Sequence, residues 1–222
     1  MVYFEKSQPA PDCLETEKAK VSGDYKCGDV LTRIKNDFKN KCYICEYKEP
    51  ETINVEHFRP HEGDNDLKFS WSNLFWSCSH CNNTKLAKYD NILNCTDIND
   101  DIESKLKYIF KPFPFEEVQI EELDNSPETV ATKNLLVEVY NGTTKLKTIE
   151  SANLRNKLLE EIMDFQSLLC DYFLDTNSPE DLEYFLIKIR GHINRASNFT
   201  AFKRWITLEN EKLKSEFEKY FE

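Results

Sequence analysis

The chain has few of the residues that loosen or interrupt a backbone: 5 glycines and 8 prolines among 222 residues. That scarcity excludes collagen-like and low-complexity architectures. No apolar run approaches the roughly 18 residues that a membrane-spanning helix needs, and the mean hydropathy is −0.64. Residues 1–12 contain no apolar stretch of the kind a secretory leader carries. The expectation is a cytoplasmic protein that does not associate with membranes. Positive charge is also in deficit, with 29 Lys and Arg against 40 Asp and Glu for a net charge of −11. A free-standing nonspecific nucleic-acid binder works through a basic surface. Any nucleic acid held here must therefore meet a local basic patch, a metal ion or a basic partner. No internal repeat and no G-x-x-x-x-G-K-[ST] phosphate loop occurs, so the chain cannot itself supply P-loop ATPase chemistry. Gly142-Thr-Thr-Lys145 reads as a turn.

What is present suffices for a core: 40% hydrophobic and 13% aromatic residues in 26.2 kDa, enough for one domain or a small domain with an added lobe. The first 28 residues read as polar and irregular. Asp29 then reads as the cap of a helix to about Asn40, with Val30, Leu31, Ile34 and Phe38 on one stripe. Residues 96–130 carry ten acids against three lysines and read as an irregular acidic connection, broken by Pro112 and Pro114. Leu135–Tyr140 reads as a strand, Asn141-Gly142 as a hairpin turn and Lys145–Ile149 as the return strand. From Ser151 the pattern turns helical, with Leu154, Leu158, Ile162, Phe165, Leu169 and Phe173 at spacings of three and four. Ser178-Pro179 starts a second helix, and a third is expected from about Thr200 to Tyr220.

The chemistry-bearing segment lies between. Cys42-Tyr-Ile-Cys45 and Cys78-Ser-His-Cys81 are two knuckles, each placing two thiolates on one tight turn. Together they complete a tetrahedral zinc shell with Zn–S near 2.3 Å, closed and hence structural. The remaining cysteines, Cys13, Cys27, Cys95 and Cys170, lack a knuckle partner and are expected to be buried free thiols. The 32 residues between the knuckles exceed what a plain zinc ribbon uses, so they must build something more. They hold Glu56-His57 at the end of a strand-like run Ile53–Phe58, and Asn73 in Trp71-Ser-Asn-Leu-Phe75. Asn82 follows Cys81 and opens an expected helix to Lys88.

This arrangement resembles the HNH endonucleases, the ββα-metal nuclease fold, through Cys42, Cys45, Val55-Glu56-His57, Asn73, Cys78, Cys81, Asn82 and Lys85. It departs from that family in using Glu where Asp or His is commoner, and in lacking a glycine after Lys85. More narrowly, Cys42-Tyr-Ile-Cys45-Glu46, Val55-Glu-His-Phe-Arg-Pro60 and Trp71-Ser-Asn-Leu74, with Cys78-x-x-Cys81-Asn82, resemble the HNH subunit of Septu-type anti-phage systems, including retron-associated ones. Thr148-Ile149 and Asn153-Leu154-Arg155 extend the likeness, which covers roughly residues 3 to 170.

The resemblance implies an α+β chain in four parts: an N-terminal extension with a helix (1–40), an HNH core with structural zinc (41–95), an acidic connection with a β-hairpin (96–150) and a C-terminal helical lobe (151–222). It implies His57 as general base, Glu56 and Asn82 as ligands of a catalytic Mg²⁺ or Mn²⁺, and Asn73 as the residue holding the loop that carries His57. Those residue types suit the reaction. Phosphodiester hydrolysis needs an activated water and charge neutralisation on the phosphoryl and departing oxygens. A neutral imidazole accepts a proton near pH 7, and carboxylate and amide oxygens suit a hard cation. Arg59 and Lys85 are candidate phosphate contacts. His61 reads as a loop histidine within reach of substrate, and His80 as an exposed residue inside a knuckle.

The family's HNH chain works beside an ABC/SMC-like ATPase, so the expected role is a nuclease effector in a hetero-oligomeric defence complex acting on DNA. An RNA-cutting effector (with transfer RNA as one target) and a non-catalytic zinc-knuckle adaptor are the alternatives. Lys188, Arg190, His192, Arg195, Lys203 and Arg204, near Trp205, form a basic cluster that reads either as a nucleic-acid stripe or as a docking face for an acidic partner.

Overall fold

A computed structural model describes residues 1–221. The chain runs α1 (Cys13–Lys18), α2 (Val30–Asp37), β1 (Ile53–His57), α3 (Asn65–Lys68), β2 (Leu74–Cys78), α4 (Ser79–Lys85), α5 (Ile102–Lys105), β3 (Leu106–Ile109), β4 (Gln119–Glu122), α6 (Pro127–Asn141), α7 (Lys145–Tyr172), α8 (Pro179–Ile193), α9 (Thr200–Leu208) and α10 (Glu211–Phe217), with short 3₁₀ turns between. It is an α+β chain with two separate two-stranded antiparallel sheets, β1–β2 and β3–β4. No helix among the described residues is long and apolar enough to cross a membrane.

One core joins the N-terminal segment, both knuckles, β1–β4, α6 and the first half of α7. A smaller one, built on Phe165, Leu169, Ile189, Ile193 and Phe217, holds the far end of α7 to α8 and α10. Burial of an amphipathic face explains α2, whose Val30, Ile34 and the following Phe38 are buried while Leu31 stays exposed. The expected cap at Asp29 makes no side-chain hydrogen bond to the helix. The first 28 residues are irregular apart from α1, as expected, but they are not polar throughout. Met1, Val2 and Phe4 are buried, and Cys13 is joined to Cys27 by a disulfide.

The acidic connection is ordered. Leu106 and Tyr108 of β3 face Ile120 of β4 on a buried side, while Lys107 and Glu121 pair across the exposed side at 3.8 Å. Polar alternation on a half-buried hairpin hid these strands in the composition. Residues 135–149 contain no hairpin. Ser126 caps α6 through its Oγ, with Pro127 at the first helical position, and the helix runs through Leu135–Tyr140 to Asn141. That start signal is the same one that announces α8 at Ser178-Pro179, where a full capping box forms. Asn141-Gly142 ends a helix instead of turning a strand. Gly142 has φ +79° and donates its N–H to the Glu138 carbonyl, and a Cβ there would lie 2.6 Å from the Thr148 nitrogen. Thr144 then caps the 28-residue α7. The expected third C-terminal helix is two, because Asn210 caps a fresh start at α10 by accepting from Lys212 and Leu213.

Candidate functional site

β1 and β2 pair antiparallel with Ile53 opposite Cys78, Val55 opposite Trp76 and His57 opposite Leu74. α4 follows β2 directly. The second knuckle forms its first turn, since the Cys78 Sγ accepts from the Cys81 N–H at 3.5 Å. The helix expected to open at Asn82 therefore opens three residues earlier, and Asn82 sits inside it.

The Sγ atoms of Cys42, Cys45, Cys78 and Cys81 all lie within 4.8 Å of one another, and all four residues are buried. Cys45 and Cys78 approach to 3.9 Å, close to the edge of about 3.8 Å for a tetrahedron of sulfurs around zinc. Burial pushes the Cys45 and Cys81 thiols up. It acts the same way on Cys42, but hydrogen bonds from the other three cysteines outweigh it and hold that thiol well below its usual value. Four soft donors crowded in this way, with one already disposed to ionise, suit a zinc ion.

Beside this cluster lies a cleft of about 370 Å³ lined by Glu56, His57, His61, Asn82 and Lys85, among others. Neighbouring strand residues point to opposite faces, yet Glu56 and His57 both reach it. The Glu56 carboxylate is 6% exposed. Its Oε1 accepts from Lys85 Nζ at 2.8 Å and from the Tyr43 hydroxyl at 3.1 Å. Its Oε2 has no hydrogen-bond partner among the described residues. Burial raises its pKa, although the Lys85 ammonium opposes the rise. The side-chain amide of Asn82, also on the cleft, makes no hydrogen bond among the described residues. An orphaned carboxylate oxygen and an unengaged amide on one cleft are the donor types a hard divalent cation takes, so this pair fits Mg²⁺ or Mn²⁺.

His57 is half-buried, and its Nε2 lies 3.0 Å from the Lys68 carbonyl oxygen. A carbonyl only accepts, so Nε2 carries the proton and Nδ1 keeps the lone pair. Burial lowers the imidazole's pKa, with the hydrogen bond to Lys68 opposing. The ring packs against Tyr25 at 4.6 Å and His61 at 4.7 Å between centroids. Asn73 does not touch the cleft. It is buried, and its amide accepts from the Arg59 N–H at 2.7 Å and donates to the Arg59 and Leu67 carbonyls at 3.0 Å. It thus ties the segment after His57 to the residue next to Lys68.

Lys85, read as a phosphate contact, is 1% exposed and committed to Glu56 and to the Phe58 carbonyl at 2.8 Å. Arg59 is exposed. His80 is only partly exposed, bridging Glu150 at 2.7 Å and the Val139 carbonyl at 2.8 Å, which fastens α4 to α6 and α7. The basic cluster is not one surface. Lys203 and Arg204 are buried, paired with Glu161 and Glu103, and Arg195 also pairs with Glu103. Of the four leftover cysteines, only Cys95 is a buried free thiol. Cys13 and Cys27 are bonded to each other, and Cys170 is exposed.

Sequence reasoning missed Tyr25, Tyr43 and the Lys68 carbonyl. A backbone carbonyl leaves no trace in residue type. Tyr25 was legible only through Cys13 and Cys27, whose bridge folds its segment onto His57. No protein-family model and no curated protein matches the chain.

Proposed function

We propose that this chain is a zinc-stabilised, metal-dependent HNH-type endonuclease that cuts DNA, acting as the effector of an anti-phage complex with an ABC/SMC-like ATPase. The observation that carries the reading is the convergence of His57, Glu56 and Asn82 on one cleft beside the four-cysteine cluster. Sequence resemblance and the antiparallel pair β1–β2 followed directly by α4 support the nuclease core, and the missing phosphate loop supports a separate ATPase.

His57 is the general base in this reading. The Lys68 carbonyl fixes its tautomer, burial keeps it neutral at physiological pH, and Nδ1 takes the proton from the attacking water. Asn73 holds the chain on either side of that imidazole in register. A divalent ion held by Glu56 and Asn82 would neutralise charge on the phosphate and on the departing oxygen. The zinc orders the hairpin and helix on which these side chains stand.

The buried Glu56–Lys85 pair favours a second reading, a non-catalytic zinc-knuckle adaptor, because the pair also serves as plain internal charge compensation. Incubating the chain, alone and with its ATPase, with plasmid, phage DNA and total RNA separates these. Magnesium-dependent DNA cleavage that His57→Ala abolishes, with folding and zinc content intact, supports the nuclease. Cleavage of RNA alone would move the target to RNA. Absence of any cleavage by the complete complex would leave the adaptor.

A further inference from the structure

A groove of about 680 Å³ shares no lining residue with the cleft. It runs between the C-terminal half of α8, the loop to α9 and the first knuckle, and its lining includes Lys48, Lys188, Arg190, His192, Asn198 and Tyr220. The knuckle and the loop are locked together. The Lys48 N–H donates to the Asn198 Oδ1 at 2.6 Å, and the Phe199 N–H donates to the Glu46 carbonyl. Lys48 thus stands on a backbone fixed three residues beyond a zinc ligand.

The groove is a local reversal of the chain's charge. Lys48, Lys188 and Arg190 form no ion pair among the described residues. The one carboxylate on the lining, Glu161, is spent internally on Lys203 at 2.6 Å and His192 at 3.3 Å. Three uncompensated cations on a chain of net charge −11 make a selective place for a polyanion. The Arg190 guanidinium lies over the Tyr220 ring, 4.8 Å from its centroid. Cations that follow a backbone, next to a guanidinium–aromatic platform for bases, are the combination that holds a single nucleic-acid strand. An acidic protein segment would use the cations but has no base to stack.

We propose that this groove binds a single DNA strand through its phosphates and one stacked base, as an anchoring site separate from the cleft. The proposal rests on the nuclease reading for its choice of DNA. Gly191 lines the groove, and a Cβ built there meets nothing within 4 Å, so Gly191→Glu introduces a carboxylate without disturbing packing.

The test is fluorescence anisotropy of a labelled thymidine oligomer of about twenty nucleotides with the zinc-loaded chain, without added magnesium. Gly191→Glu and the pair Lys188→Ser/Arg190→Ser should each weaken binding by about tenfold or more, and the pair should flatten the salt dependence by about one to two in slope. Arg190→Lys should keep the slope and lose affinity, because an ammonium does not stack as a planar guanidinium does. Circular dichroism and zinc content should match wild type throughout. Oligomer affinity unchanged by Gly191→Glu and the double substitution overturns the proposal, as does polyglutamate that displaces the oligomer at equal charge concentration. The readings fail separately. Loss of binding in groove variants while His57→Ala still cuts would remove the nuclease assignment of the cleft and keep the groove. Unchanged binding while His57→Ala is inactive would do the reverse.

Discussion

Asn73 clasps Arg59 at both of that residue's peptide groups, accepting from its N–H at 2.7 Å and donating to its carbonyl at 3.0 Å. The amide reads as a polar residue in a turn, yet it is 5% exposed and joins two chain segments fourteen residues apart. Asn73→Ala would leave half-buried backbone groups of Arg59 and Leu67 without their partner, at up to about 1–3 kcal/mol for each such group. We expect a loss of roughly 2–4 kcal/mol in urea denaturation. Cleavage should fall further than the folded fraction does, because the His57 imidazole loses its fixed position.

The four sulfurs should carry one zinc per chain, and Cys45→Ser should abolish it. Elemental analysis of the purified chain and a chelator titration followed by circular dichroism check this. Because metal affinity here is folding free energy, stripping the ion should remove cooperative unfolding of the core instead of lowering its midpoint slightly. A chain that stays folded and cooperative after zinc removal would contradict it.

The bridge between Cys13 and Cys27 spans a separation of 14 residues. Closing a loop of that size restricts the unfolded chain by about 3 kcal/mol. Cys13→Ser should lower unfolding stability by up to that amount, and a reducing agent should do the same to wild type but nothing further to the variant. Because the loop lays Tyr25 on His57, the variant should also raise the solvent exposure of the imidazole, visible as a pKa closer to 6.5 in an NMR titration.

Glu56 and Lys85 should show strong coupling. Lys85→Met leaves a carboxylate buried without its cation and should cost about 3–5 kcal/mol, whereas Glu56→Gln with Lys85→Met should recover much of that. Glu56→Gln alone should abolish magnesium-dependent cleavage. A double-mutant cycle in urea reports the coupling independently of activity.

Acid should destabilise the C-terminal helices through Glu161. Burial alone would raise this carboxyl, but His192 and Lys203 outweigh it and hold it at about 2, against an ordinary 4.5. The folded state therefore binds this proton more weakly than the unfolded chain does. Its contribution is complete above about pH 4.5, drains as pH falls towards 2, and amounts to about 2 kcal/mol after solvent screening. Glu161→Gln should be less stable than wild type at pH 7, and its stability should fall less steeply between those two values. With His57 as the proposed general base, cleavage should rise with pH through an acid limb centred below 6.5, because burial lowers the imidazole's pKa.

The amino-acid order alone determined the parts of this molecule whose chemistry is local. Two Cys-x-x-Cys turns announce the sulfur cluster because a knuckle's geometry is contained in four residues. Ser178-Pro179 announces α8, and the 3.6-residue apolar rhythm announces α7, for the same reason. Glu56, His57 and Asn82 could be singled out by residue type and by position between the knuckles.

Where local signals compete, only the folded chain chose. Asn141-Gly142 suits a hairpin and a helix end equally well, and burial of Leu135, Leu136, Val139 and Tyr140 in the main core selected the helix. Cys13 and Cys27 carry no sign of each other until the folded chain brings them together. Lys85, Lys203 and Arg204 read as surface cations because burial is a property of neighbours distant in sequence, here Glu56, Glu161 and Glu103. The tautomer of His57 depends on a carbonyl eleven residues away, and the basic groove on cations from two separate segments, Lys48 beside the first knuckle and Lys188 and Arg190 on α8. Such facts arise from long-range contacts, and no single stretch of the chain encodes them.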